Sequence, residues 1–166
     1  MRMLAENGIA TPDDLAQVVP PAARLARGPV AIAECFQNIP CDPCYHSCKQ
    51  GAIKEFTDIN QRPQIDFDKC NGCGTCMSRC PGLAIFVVDA AYGEQEALVK
   101  LPYEFHPLPA VGDVVTAVNR AGQAVGEARV VRVQNAQAQD RTAIIWLAVA
   151  KDLMMEVRHC KVKGVG

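Results

Sequence analysis

From about residue 100 to 150, apolar and polar positions alternate with the period of a half-buried strand, in Asp113–Val118 (DVVTAV) and again in Ala128–Val133 (ARVVRV). The turn-rich NRAGQ between them predicts a hairpin. A third run, AIIWLAV (Ala143–Val149), has no polar interruption and predicts a central strand with Trp146 in the core. Together these runs predict a small C-terminal β-barrel or β-sandwich. Lys151–Val157 adds a final helical turn. Nearer the start, Met3 to about Leu25 predicts two short helices, the second opened by Thr11 as N-cap, Pro12 at its first position and Asp13–Asp14 near the positive end of its dipole. Pro20–Pro21 should interrupt it. Val30–Ala33 and Gln64–Phe67 predict short strands, each leading into a group of cysteines.

The organisation that follows is α+β in three parts. Residues 1–28 form a helical arm, 29–90 a cysteine-rich unit and 91–166 a β-rich unit. A composition 49% hydrophobic and 21% charged is that of a folded globular protein. With 17 basic against 18 acidic residues, no strong field of either sign exists to recruit nucleic acid or an anionic membrane. The first ten residues hold no apolar stretch of the secretory type, and no later run approaches a membrane span, so the expected location is the cytoplasm.

Of nine cysteines, eight fall within residues 35–80, a clustering that points to metal and away from a disulfide scaffold. Cys70, Cys73, Cys76 and Cys80 followed by Pro81 spell CxxCxxCxxxCP, the run that holds iron–sulfur cubanes. Gly72 and Gly74 allow the backbone to curl and turn its N–H groups inward. Upstream, Cys35, Cys41, Cys44 and Cys48 keep the CxxCxxxC ending but stretch the first gap to five residues, and Lys49 stands where the other group has proline. Phe36–Pro40 must then bulge for Cys35 to act as a ligand; the alternative for Cys35 is a buried thiol. An internal repeat supports two similar halves, since CKQGAI (Cys48–Ile53) aligns with CPGLAI (Cys80–Ile85). Zinc knuckles also use CxxC, but a zinc ribbon needs about four ligands and no CP ending. Cys160, beside His159, falls outside the pattern and reads as a structural thiol; His46, between Cys44 and Cys48, reads as loop packing.

On these motifs, residues of about 30–90 resemble the bacterial two-cluster ferredoxins. The resemblance implies two 4Fe–4S clusters with crossed ligation: Cys35, Cys41, Cys44 and Cys80 on one, and Cys70, Cys73, Cys76 and Cys48 on the other. More loosely, GPVAIAECFQNIPCDPC with the β-rich tail resembles small dicluster subunits that accompany flavin-dependent amine or amino-acid dehydrogenases. That likeness implies a flavoprotein partner.

No catalytic residue is expected. The only GxG, Gly72–Gly74, lies in the cysteine loop and not at a strand-to-helix turn, and there is no Walker loop, nucleophile elbow or HExxH. The expected role is an electron-transfer subunit of a larger oxidoreductase, within a hetero-oligomer. A freely diffusing ferredoxin and a structural or redox-sensing cluster protein are the alternatives. Diffusing ferredoxins tend to be markedly acidic, whereas the net charge here is −1.

Overall fold

The strand-forming segments join in one antiparallel sheet that carries the cysteine loops on its outer face. The computed structural model describes residues 2–163. Its strands are β1 (Val30–Ala33), β2 (Ile85–Asp89), β3 (Glu96–Tyr103), β4 (Val114–Val118), β5 (Ala124–Gln134), β6 (Ala143–Ala150) and β7 (His159–Lys161), in the spatial order β1-β2-β3-β6-β5-β4-β7. The DVVTAV/ARVVRV hairpin forms as β4 and β5, with Asn119 N–H donating to Gln123 O across the turn. The AIIWLAV run is central, paired with β3 on one side and β5 on the other.

The structure departs from expectation in the make-up of the sheet and at Gln64–Phe67. The β-rich unit is not built from C-terminal strands alone: the β2–β3 hairpin carries the sheet across residue 90, and β1 and β2 come from the cysteine-rich segment. Gln64–Phe67 is not a strand. It forms a single bridge, Ile53 to Ile65, flanked by Lys54 N–H to Gln64 O and Asp66 N–H to Ala52 O.

Strand alternation separates two cores. On the inner face Val30, Ile32, Val88, Val99, Leu101, Val115, Val130, Ile145 and Leu147 gather with Val157 and Cys160. On the outer face Ala31, Ala33, Ile85, Val87 and Ile144 gather with Cys44, Cys76 and Met77. Trp146 belongs to this outer face and is only half-buried, which corrects its placement in the core: in β6 its neighbours Ile145 and Leu147 point inward, so its ring points out.

The sheet curls until its edges meet. Val30 and Ile32 on one edge strand share the inner core with Cys160 on the other, although the two edge strands do not pair. A buried charge cluster staples the gap. Glu34, one residue past β1, accepts from Arg120 Nε and NH2 at 2.8 and 2.6 Å and from Arg158 Nε at 2.7 Å. Burial pushes the Glu34 carboxyl up, but the hydrogen bonds and charges of the two guanidiniums outweigh it and hold the group below the ordinary carboxylate range.

The N-terminal arm contains three helices instead of two: α1 (Arg2–Asn7), α2 (Pro12–Ala16) and α3 (Ala22–Leu25). Thr11 caps α2 in a full capping box with Asp14, and the Pro20–Pro21 break falls where expected, before α3. Among the described residues no helix is long and apolar enough to cross a membrane.

Candidate metal centre

Each cysteine group builds the same local shape. A one-turn helix follows the second ligand candidate of each group, α4 (Pro43–Ser47) in the first half and α5 (Thr75–Arg79) in the second, and carries the third cysteine, Cys44 or Cys76, buried at its second position. The fourth cysteine, Cys48 or Cys80, caps that helix, with its N–H bonded to Tyr45 O or Met77 O. The chain then turns back, and the repeat seen in CKQGAI and CPGLAI takes physical form. Ala52 N–H lies 3.3 Å from Cys48 Sγ, and Ala84 N–H lies 3.5 Å from Cys80 Sγ. Both turns need a left-handed residue three positions after the cysteine: Gly51 has φ +60°, whereas Leu83 adopts +50° at the cost of strain.

The halves face one another with exchanged cysteines. One cavity is lined by Cys35, Cys41, Cys44 and Cys80, with Ile85 and Pro63 among its walls. A second is lined by Cys48, Cys70, Cys73 and Cys76, with Ala31, Ala52 and Ile53. The two cavities are equal in volume, about 20 Å³ each. The structure therefore brings all eight expected cysteines to two places, four to each. Phe36–Pro40 does bulge: Ile39 is exposed on it, and Cys41 N–H returns to Ile59 O at 3.2 Å. Cys160 lies on β7 in the inner core, away from both cavities, where burial pushes its thiol up to about 12. His46 is on the surface, its Nε2 3.1 Å from Asp42 Oδ2.

Cavities with this lining suit an iron–sulfur core. Burial, followed by the nearby Cys80 charge, pushes Cys44 up to about 11; burial and the charges of Cys70 and Cys73 push Cys76 up to about 12. Thiolate ligation at these positions therefore depends on a cationic partner such as an iron–sulfur core. Among the described residues no three Cys, His, Asp or Glu groups are placed to hold a single metal ion. Cys73 behaves differently. Burial opposes its ionisation, but hydrogen bonds from Thr75 and the charge of Lys100 bring its thiol below the ordinary range.

Two side chains that the sequence did not flag hold the Cys70–Cys76 loop. Arg24, buried, reaches from α3 with Nε to Phe67 O at 2.6 Å, NH1 to Gly28 O at 3.1 Å, and NH2 to Pro29 O at 3.0 Å and Cys70 O at 2.6 Å. Lys100, also buried, donates from β3 to Gly72 O at 2.8 Å, and its ammonium sits 4.1 Å from the Trp146 ring centre. Burial pushes the Lys100 ammonium below its ordinary range, and the Cys73 charge pulls it back. A lone lysine in the apolar ALVKLPY run was a visible signal for the second of these. Arg24 in AARLARG had none.

Comparison with known proteins places this chemistry. Residues 63–86 match the 4Fe-4S binding domain family. This segment is similar to ferredoxin-type iron–sulfur domains. Pyruvate synthase subunit PorD of Methanocaldococcus jannaschii is 47% identical over 47 residues, 28% of this chain and 52% of that protein. PorD of Methanothermobacter marburgensis is 40% identical over 47 residues, 28% of this chain and 51% of that protein. Ferredoxin-type protein NapF of Haemophilus influenzae is 36% identical over 61 residues, 36% of this chain and 35% of that protein. The chain thus spans about half the length, or less, of the curated relatives it matches. No solved structure matches it.

Proposed function

We propose that this chain is the electron-transfer subunit of a larger oxidoreductase and holds two 4Fe–4S clusters. Cys35, Cys41, Cys44 and Cys80 would hold the first, and Cys48, Cys70, Cys73 and Cys76 the second. The observation that carries the reading is the pair of cavities, each lined by three cysteines of one group and the fourth of the other. A cluster of this kind, when bound, accepts and releases one electron. The chain's own part is to present four thiolates, direct the Ala52 and Ala84 N–H groups at sulfur and cover the sites with the outer face of β1 and β2. Iron and acid-labile sulfide analysis of anaerobically prepared protein should give about eight irons per chain. In Cys80→Ser the EPR signal of the Cys35–Cys44 site should be the one that changes. About four irons, bound zinc, or loss confined to the Cys70–Cys76 site would refute the assignment.

The subunit role rests on the balanced charge and on the segments outside the cysteine loops, which a diffusing carrier does not need. One relative's own name makes it a subunit of pyruvate synthase. For this chain we propose redox subunits as partners, with a flavoprotein dehydrogenase as electron donor, in the cytoplasm. Protein purified from its host should run with those partners in gel filtration or native mass spectrometry at moderate ionic strength. The association should respond little to salt, because packing and not steering sustains it. Recovery as a free monomer that passes electrons between separate enzymes would restore the diffusing-ferredoxin alternative.

A further inference from the structure

The two cavities match in ligands and size but not in buried charge. Arg24 and Lys100 both bond backbone carbonyls of the Cys70–Gly72 stretch, at Cys70 O and Gly72 O. Among the described residues neither forms an ion pair with a carboxylate. Two buried cations without carboxylate partners are costly unless an anion lies close by. Apart from Cys73 and Cys70, the charges acting on Lys100 are Asp89 and Arg132, which have opposite signs.

Among the described residues the first cavity has no equivalent. The charges acting on its cysteines are Asp42 at Cys41 and Arg62 at Cys35, again of opposite sign, and both belong to partly solvated side chains. The Glu34–Arg120–Arg158 cluster lies close in sequence but on the other side of the sheet. Its Arg158 guanidinium lies 5.1 Å from the centre of the Phe86 ring, which belongs to the inner core.

We infer that Lys100 and Arg24 make the two sites unequal, holding a cluster bound at the second site at a higher reduction potential than one bound at the first. The inference rests on the two-cluster reading. An iron–sulfur core ligated by four thiolates is anionic and gains one more negative charge on reduction. A fixed cation in a low-dielectric surround therefore favours the reduced state, and more strongly than the same cation in water would. The unequal pair gives the chain a direction, with the Cys35–Cys44 end as the site of electron entry and the Cys70–Cys76 end, where Cys73 is exposed, as the site of exit.

EPR-monitored redox titration of the wild-type protein tests this, with the second site's signal assigned by its change in Cys73→Ser. The two sites should differ by at least tenfold in reduction equilibrium constant, about 59 mV for one electron, the second being higher. Lys100→Gln removes the charge while keeping a donor toward Gly72 O; it should lower the second site at least tenfold and leave the first within twofold. Lys100→Arg should restore most of the difference. Equal wild-type potentials, a higher first site, or a Lys100→Gln shift common to both sites would overturn the inference. If Lys100→Gln fails to load its second site, the order of the wild-type potentials decides. Iron content separates the two claims: about eight irons with equal potentials sinks the inference alone, whereas about four sinks it together with the two-cluster reading.

Discussion

Gly72→Ala should cost the protein its second cysteine site. A Cβ at residue 72 would stand 2.6 Å from Pro29 Cβ, 2.7 Å from Pro29 C and 2.9 Å from Pro29 O, far inside contact distance. Neither side can retreat. Pro29 leads directly into β1, whose Val30 is completely buried in the inner core, and its carbonyl is held by Arg24. Gly72 is drawn toward the sheet by Lys100 and has φ +65°, a conformation that alanine adopts only under strain. Overpacking and backbone strain together should destabilise by about 3 kcal/mol or more. Because the loop carrying Cys70 and Cys73 must swing outward to relieve the clash, roughly half the iron should be lost with it. Gly82→Ala is the matched control, since its added Cβ would meet nothing nearer than Cys80 Sγ at 4.0 Å. Urea unfolding and iron content of the two variants check the prediction; a Gly72→Ala protein with wild-type iron and midpoint would show that the approach to Pro29 is not restrictive.

The same loop shows where the sequence was legible and where it was not. Local patterns survived folding. The cysteine spacing, the CKQGAI/CPGLAI repeat, the Thr11 cap and the β4–β5 hairpin depend on residues near one another in the chain, and all appear as elements or turns. β3 was hidden because ALVKLPY contains a lysine and a proline that argue against a central strand. Both are explained by the third dimension: Lys100 faces the cysteine loop, and Pro102 lies beyond the last β2 pair, Val87 with Lys100, where β3 has only β6 beside it. Gln64–Phe67 had the composition of a strand but lacked a neighbour long enough to pair with. Trp146 misled because a continuous apolar run does not say which face is the deeper one. Arg24 was invisible, as all its partners are backbone carbonyls, which no side-chain pattern records.

The second large effect belongs to the staple that closes the curled sheet. Glu34→Gln should destabilise by about 3–5 kcal/mol, because it leaves the Arg120 and Arg158 guanidiniums facing each other with no anion between them. Their side chains are 12% and 4% exposed and that of Glu34 is 7% exposed, so water cannot take over the role. Arg158 has little in reserve. Its NH1 already serves Met154 O and Val157 O, its NH2 has no hydrogen-bond partner among the described residues, and its charge otherwise rests on the Phe86 ring 5.1 Å away. The sign of the pH dependence follows from the depressed carboxyl. Glu34's contribution is complete above its ordinary value of 4.5 and is lost only as pH falls through the lower folded value, so measurements at neutral pH read all of it. For a chain of this length the loss corresponds to roughly 10 °C in midpoint. Arg120→Met with Glu34→Gln should recover part of it, since one of the two uncompensated charges is then gone. Thermal unfolding of the single and double variants at pH 7 makes the measurement. A Glu34→Gln midpoint within about 2 °C of wild type would mean that the edges of the sheet are held by apolar packing between β1 and β7 and not by the charge cluster.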